Sequence, residues 1–333
     1  MAKSKFLILI ITSVFVVLFI LQIDITMLKA QMETFGWRIS VVCLLSGMAY
    51  LFATMGWILC FGNWCRADKL VSYFHARQIG ESFSLLNPFG AVGGDALKVT
   101  LTKEIDRKPD EVLASVICSR VVMWVAYFLL LIGGIISFLF ISSKHSSNLL
   151  TWIGVIGLLG GLCLLLVRSI YNLSWLQNIV GLFSRRYKSK YLKLCQLRIL
   201  STKRHLHLVT TKGKNYIYLA LLFFVIHYFF GALEFYYILY VLGEPITLTA
   251  AILGEIGTSL IRSIMIFIPG QVGVEEYSNK YFLELAGVKG ESTWVTVSLI
   301  RRMRQIFWIL FSIIVYVIYF QKSTISQTKP NLI

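Results

Sequence analysis

Pro88-Phe89-Gly90-Ala91-Val92-Gly93-Gly94-Asp95-Ala96-Leu97-Lys98 is the stretch on which the reading of this chain turns, and it has an echo about half a chain later, Pro269-Gly270-Gln271-Val272-Gly273-Val274-Glu275-Glu276. Aligned on their glycines, Gly90, Gly93 and Asp95 fall on Gly270, Gly273 and Glu275, a shift of 180 residues. Downstream the parallel continues at a shift of 181: the segment from Glu111 to Arg120 runs beside the one from Ser292 to Arg301, and a long apolar run follows each arginine. Each half therefore reads as an apolar approach, a Pro/Gly break with a carboxylate, a short segment, an arginine and a span. Such self-similarity signals an internal duplication.

Proline cannot continue a helix and glycines admit bends and close approach. In hydrocarbon, the backbone groups freed by a break need partners, so a break is tolerated only against protein or a water-filled cavity. Interrupted apolar segments in corresponding places of two halves point to a transporter's central site. The plainer alternative is a pair of surface turns, which is what Gly/Pro clusters usually mark. Composition weighs for the membrane. The 333 residues are 57% hydrophobic and 14% charged, against about 25% charged in a soluble domain.

Several uncharged runs approach the roughly 20 residues that cross a bilayer. Taken in order, spans are expected at 6–23 (a retained signal-like segment), 41–61, 112–141, 149–167, 216–242 and 294–320. The fold expected is an all-α polytopic membrane protein, a single membrane domain over 1–333. It has about six full spans plus two broken re-entrant segments related as an inverted repeat, with repeat cores at 41–141 and 216–320. An amphipathic piece from Arg66 to Leu86 leads into the first break, with Leu70, Val71, Phe74, Ile79 and Phe83 as its apolar set. Whether 246–268 and 277–290 dip in and return or cross is left open by hydropathy. Between Arg168 and Asn215 lie eleven Lys/Arg and no acid. Part of 169–214 is expected to form an amphipathic helix on anionic headgroups, with Arg185, Arg186, Lys188, Lys190 and Lys193 facing them. A basic cytoplasmic loop obeying the positive-inside rule is the simpler alternative. Basic loops place both termini in the cytoplasm.

Six scattered cysteines form no zinc or disulfide spacing, and no metal or other cofactor is expected. Ionisable groups at membrane depth are the natural site candidates. Asp95, Glu275 and Glu276 flank the breaks; Arg120, Arg301 and Arg302 are suited to gripping a phosphate bidentately. Glu255 and Arg262 are seven apart and share a helix face. Asp95–Arg120 and Glu275–Arg301 could equally be internal pairs that hold each break to the next span. Lys98 and Lys103 are expected to serve the membrane interface.

These motifs resemble the flippase-like family that includes the membrane region of lysylphosphatidylglycerol synthases. The residues that carry the likeness are Pro88, Gly93, Gly94, Asp95 and Arg120, then Pro269, Gly270, Gly273, Glu275 or Glu276, and Arg301. Gln271 departs from the pattern, standing where a second glycine is expected. The resemblance implies an inner-membrane protein linked to lipid translocation. No soluble aminoacyl-transferring domain is expected here, and hence no synthase activity. The leading expectation is a transporter that moves a phosphate-bearing lipid across the inner membrane, more a carrier than an enzyme. Its substrate site would be formed by Pro88, Gly90, Gly93, Gly94, Asp95 and Arg120 with Glu255, Arg262, Pro269, Gly270, Gly273, Glu275, Glu276, Arg301 and Arg302. The alternative is a membrane-embedded enzyme or accessory subunit acting on phospholipid or a lipid-linked glycan. Expected partners are membrane lipids with anionic headgroups and, in the accessory reading, a lipid-modifying enzyme. Nucleic acid is not among them, since no recognition module accompanies the charge.

Overall fold

A computed structural model describes residues 33, 35–62, 67–86, 90–102, 105, 107–141, 157, 160–162, 164–165, 168, 190–244, 246–265, 271, 273–288 and 293–320. The expected first span, most of the expected fourth, and Pro88, Arg185, Arg186, Lys188, Pro269 and Gly270 lie outside them. Among the described residues the chain is all helical. In order it forms α1 (Arg38–Leu59), α2 (Ala67–Leu86), α3 (Gly90–Thr102), α4 (Pro109–Ile141), α5 (Lys190–Lys212), α6 (Lys214–Val241), α7 (Leu248–Ile264), α8 (Val274–Leu285) and α9 (Thr293–Val315), with a π-helical turn at Tyr316–Phe320. Three of these helices, α1, α4 and α6, are long and apolar enough to cross a membrane, and the protein is an integral membrane protein.

Local chemistry sets the helix ends. Pro109 opens α4 with Asp110 and Glu111 in its first turn, where a missing N–H costs nothing and acids meet the positive end of the helix dipole. Thr247 caps α7 by accepting from the Ala250 N–H at 3.2 Å. Gly287, at φ +84°, closes α8.

Element bounds recur along the chain. α1 to α4 and α6 to α9 follow the same order, and α2 and α7 begin 181 residues apart. α3 and α8, and likewise α4 and α9, begin 184 residues apart. Left-handed backbone occurs at Gly90 (φ +52°) in the first half and at Gln271 (φ +50°) and Gly273 (φ +77°) in the second.

The chain divides into two compact units. Unit 2 comprises 51–70 and 102–228. Its core joins Ala53, Leu59 and Cys60 with Cys118, Val122 and Ala126, and with Leu206, Val209, Ala220 and Phe224. The Trp57 indole N–H donates to Ser115 Oγ at 3.1 Å. An amphipathic helix, as expected within 169–214, is present as α5, and its second half buries Thr202, Leu206, Val209 and Thr210 and packs on α4. The i, i+4, i+7, i+8 spacing makes a narrow seam inside a basic sequence, leaving Arg204, His207 and Lys212 outward.

Unit 1 comprises 1–50, 71–101 and 229–333. Its apolar core joins Phe35 and Val42 with Phe235, Ile238, Leu239, Ala251, Leu283, Val297 and Ile300. α2 packs on α9 through polar contacts: Ser82 and Ser312 share a 2.8 Å hydrogen bond, and Ser312 also reaches the Gln78 carbonyl at 3.3 Å. The buried face of α2 is Tyr73, Ala76, Arg77, Gln78, Ile79 and Ser82, while Val71 is 58% exposed. The apolar set expected for this helix thus only partly faces inward, because lipid accepts apolar side chains and the protein interior takes the polar ones.

Close approach in unit 1 depends on glycines. A Cβ at Gly257 on α7 would overlap the Phe282 ring on α8, whereas one at Gly133 on α4 meets nothing within 4 Å. Gly257→Ala is therefore expected to cost roughly 1–3 kcal/mol, while Gly133→Ala is neutral or stabilises by up to about 1 kcal/mol. Thermal unfolding of the purified protein in detergent measures both, and equal stabilities would refute the tight α7–α8 contact.

Candidate functional site

At the first break, Gly94 touches α2 so closely that a Cβ would overlap Ser84 Oγ and the Gly80 carbonyl. This brings Lys98 across to Glu81, with Nζ 2.6 Å from Oε1 and 3.0 Å from Asp95 Oδ1. Arg77 lies 3.9 Å from the same Glu81 oxygen. Lys98 is buried, which corrects its expected place at the membrane interface. Lys98 and Asp95 stand three apart on one helix face, which sets up their pairing. Arg120 is half-buried on α4, in unit 2. Gly90 and Gly93 sit in the first turn of α3.

At the second break three helices converge on α9. Arg301 is wholly buried. Its Nη2 pairs with Glu255 Oε2 of α7, its Nη1 donates to Asn279 Oδ1 of α8 at 3.1 Å, and its Nε stands 3.9 Å from Glu275 Oε1. The guanidinium also lies over the Phe235 ring, 5.2 Å from its centre. Arg302 binds Glu276 Oε1 through Nε at 3.0 Å and Nη2 at 2.9 Å. Arg304 pairs with Glu234 of α6. Two amides orient the charges. Asn279 Nδ2 donates to Ser298 Oγ at 2.9 Å, and Gln305 donates to Glu275 Oε2 at 2.7 Å while accepting from Arg302 Nη1 at 3.3 Å.

Arg262 differs from the others. Its side chain is 21% exposed, and it faces Glu255 at 3.7 Å and Glu275 at 3.9 Å, with Ser259 Oγ accepting from it at 3.0 Å. The shared face expected for Glu255 and Arg262 is thus realised, with Ser259 between them. Beside it, Gln271 donates from Nε2 to the Arg262 carbonyl at 3.1 Å, and its own carbonyl accepts from Arg302 at 3.4 Å. Those bonds hold a non-glycine residue in a left-handed conformation that costs about 1–2 kcal/mol. Gly273 begins α8 at φ +77°. Glu276 is 28% exposed, so Arg262, Gln271 and Glu276 form the accessible edge of an otherwise buried cluster.

The Tyr50 side chain on α1 lies within Coulombic reach of Arg77 on α2 and of Arg262, Glu234 and Arg304. Glu275, Glu276, Arg301, Arg302, Glu255 and Arg262 of the expected site are therefore brought together, and Asp95 joins a separate Lys98–Glu81 group in the same unit. Lys190 and Lys193 stand in the first turn of α5. Sequence reasoning left out Glu81, Lys98, Glu234, Asn279, Arg304 and Gln305. A usable signal existed for the amides, since Asn279 follows Glu275 by four and Gln305 follows Arg301 by four. Among the described residues no group of three metal-ligating side chains occurs.

Among protein families, the chain matches the lysylphosphatidylglycerol synthase TM region over residues 6–313, and it belongs to that family. Neither the curated proteins nor the solved structures contain a match.

Removing one member of a buried ion pair leaves the other uncompensated, at roughly 3–5 kcal/mol. Arg301→Gln is expected to lose that much, seen as a lower unfolding temperature or folded yield in detergent. Arg262→Gln, at the accessible edge, is expected to lose about 1 kcal/mol or less. Similar losses for the two would refute the division into a buried frame and an exchangeable edge.

Proposed function

We propose, from membership of the chain in this phospholipid-synthase membrane family and from the edge around Arg262, that the protein is a flippase-like lipid transporter of the inner membrane. A phosphate-bearing headgroup enters at the second break and takes Arg262 from its two carboxylates. The observation that carries this reading is the contrast among the arginines. Arg301, Arg302 and Arg304 are buried, while Arg262 is partly exposed and its carboxylates stand 3.7 and 3.9 Å away. Exchange of those long contacts for a phosphate needs no rearrangement of the frame.

Helix lengths support broken segments that dip in and return. α3, α7 and α8 have 13, 17 and 12 residues. At 1.5 Å per residue they reach roughly 20, 26 and 18 Å, short of the ~30 Å hydrocarbon core. In this reading the first pair enters from the cytoplasm and the second from the opposite face, as inverted copies. Both termini and the basic 168–214 stretch lie on the cytoplasmic side, where the latter meets anionic headgroups.

A charge-assisted contact to phosphate is worth about 1.5–3 kcal/mol, which is roughly 10- to 100-fold in affinity. In proteoliposomes containing fluorescent phosphatidylglycerol, wild-type protein is expected to move the headgroup between leaflets faster than protein-free vesicles do. Arg262→Gln is expected to slow that movement at least about tenfold while keeping its thermal stability. A wild-type rate equal to the protein-free rate would sink the transport reading, and an unaltered Arg262→Gln rate would remove this residue from it.

A further inference from the structure

The ion cluster at the second break is balanced. Glu234, Glu255, Glu275 and Glu276 face Arg262, Arg301, Arg302 and Arg304, four charges of each sign among the described residues. An anionic headgroup that engages Arg262 adds a negative charge to this group. In a dry interior an uncompensated charge costs several kcal/mol, so a cluster that admits an anion needs a cation with it. The smallest cation available is a proton, and the four carboxylates are not equally placed to take it.

Glu255 is engaged at both oxygens, Oε2 by Arg301 and Oε1 by Ser259 at 3.3 Å with Arg262 beyond it. Glu275 receives Gln305 on Oε2, and its Oε1, though without a hydrogen bond, has two guanidiniums 3.9 Å away. Glu276 holds Arg302 on Oε1; its Oε2 also lacks a hydrogen bond, but the side chain is partly exposed. Glu234 is 1% exposed, and its Oε1 accepts no hydrogen bond among the described residues. It lies on α6, a helix long and apolar enough to span. A second carboxylate is close by: Glu255 rests against Gly231, three residues before Glu234, where a Cβ would stand 3.3 Å from Oε1. The charged and titratable groups around Glu234 are Arg304 and Arg301 from α9, Glu255 from α7, and Tyr50 and Cys43 from α1. Burial and the Glu255 carboxylate favour a proton at Glu234, and the Arg304 and Arg301 guanidiniums oppose it.

We propose that Glu234 is the proton-binding site of this cluster, loaded as an anionic phospholipid headgroup engages Arg262 at the edge. The coupling rests on the headgroup reading above; the proton site itself does not. Protonation turns the unpartnered Oε1 into an O–H donor and frees part of the Arg304 charge to balance the incoming phosphate. Loss of the headgroup on the other side releases the proton, so lipid movement is tied to a proton gradient.

A membrane-soluble carbodiimide reacts with protonated carboxyl groups in dry surroundings, and the modified residue is located by mass spectrometry on the wild-type chain, so no variant need fold. In phosphatidylglycerol nanodiscs the mark is expected at Glu234 at pH 6, falling roughly tenfold per pH unit once the group titrates. It is expected to be several-fold weaker in nanodiscs of an uncharged, phosphate-free galactolipid. Absence of the mark at Glu234, or its appearance at Glu276 instead, overturns the proposal, since Glu234 then stays ionised. A mark at Glu234 that titrates equally in both lipids keeps the proton site and overturns its link to the headgroup. Failure of the headgroup reading is thereby told apart from failure of the site.

Discussion

Three arginines within four residues of one helix cannot enter a membrane protein's interior unless carboxylates come to meet them. On α9 the 100° step per residue points Arg301, Arg302 and Arg304 in different directions, and each meets a different helix: Glu255 of α7, Glu276 of α8 and Glu234 of α6. Lipid tails are as apolar as leucine, so apolar burial gives these helices little reason to associate. The ion pairs supply the reason, and small residues such as Gly257 and Gly231 allow the approach. Packing, charge and the shape of the accessible edge are therefore one arrangement. The exposed position of Arg262 has meaning only because the other three arginines are fixed.

Much of the fold was legible. The long apolar runs that became α1, α4 and α6, the breaks at Gly/Pro clusters, and the shared face of Glu255 and Arg262 follow from hydropathy, backbone chemistry and helix period. Partner choice was not. The Glu81–Lys98–Asp95 group forms because α2 and α3 touch at Gly80 and Gly94, which sequence spacing does not reveal. The inward face of α2 was misjudged by ranking hydrophobicity, because Val71 faces outward while Arg77 and Gln78 are buried. Gln271 departs from the glycine pattern, and its side chain, tied to the Arg262 carbonyl, accompanies a left-handed backbone.

The two breaks differ in chemistry. One break gathers two carboxylates around a buried ammonium, and the other gathers carboxylates around guanidiniums.

The central role of α9 has a consequence for biosynthesis. The ribosome delivers α6, α7 and α8 before α9, so Glu234, Glu255, Glu275 and Glu276 are made before the arginines that neutralise most of them. Acidic residues in hydrocarbon cost about 2.5–3.5 kcal/mol each on insertion scales. These helices therefore gain most of their charge compensation only when α9 is made.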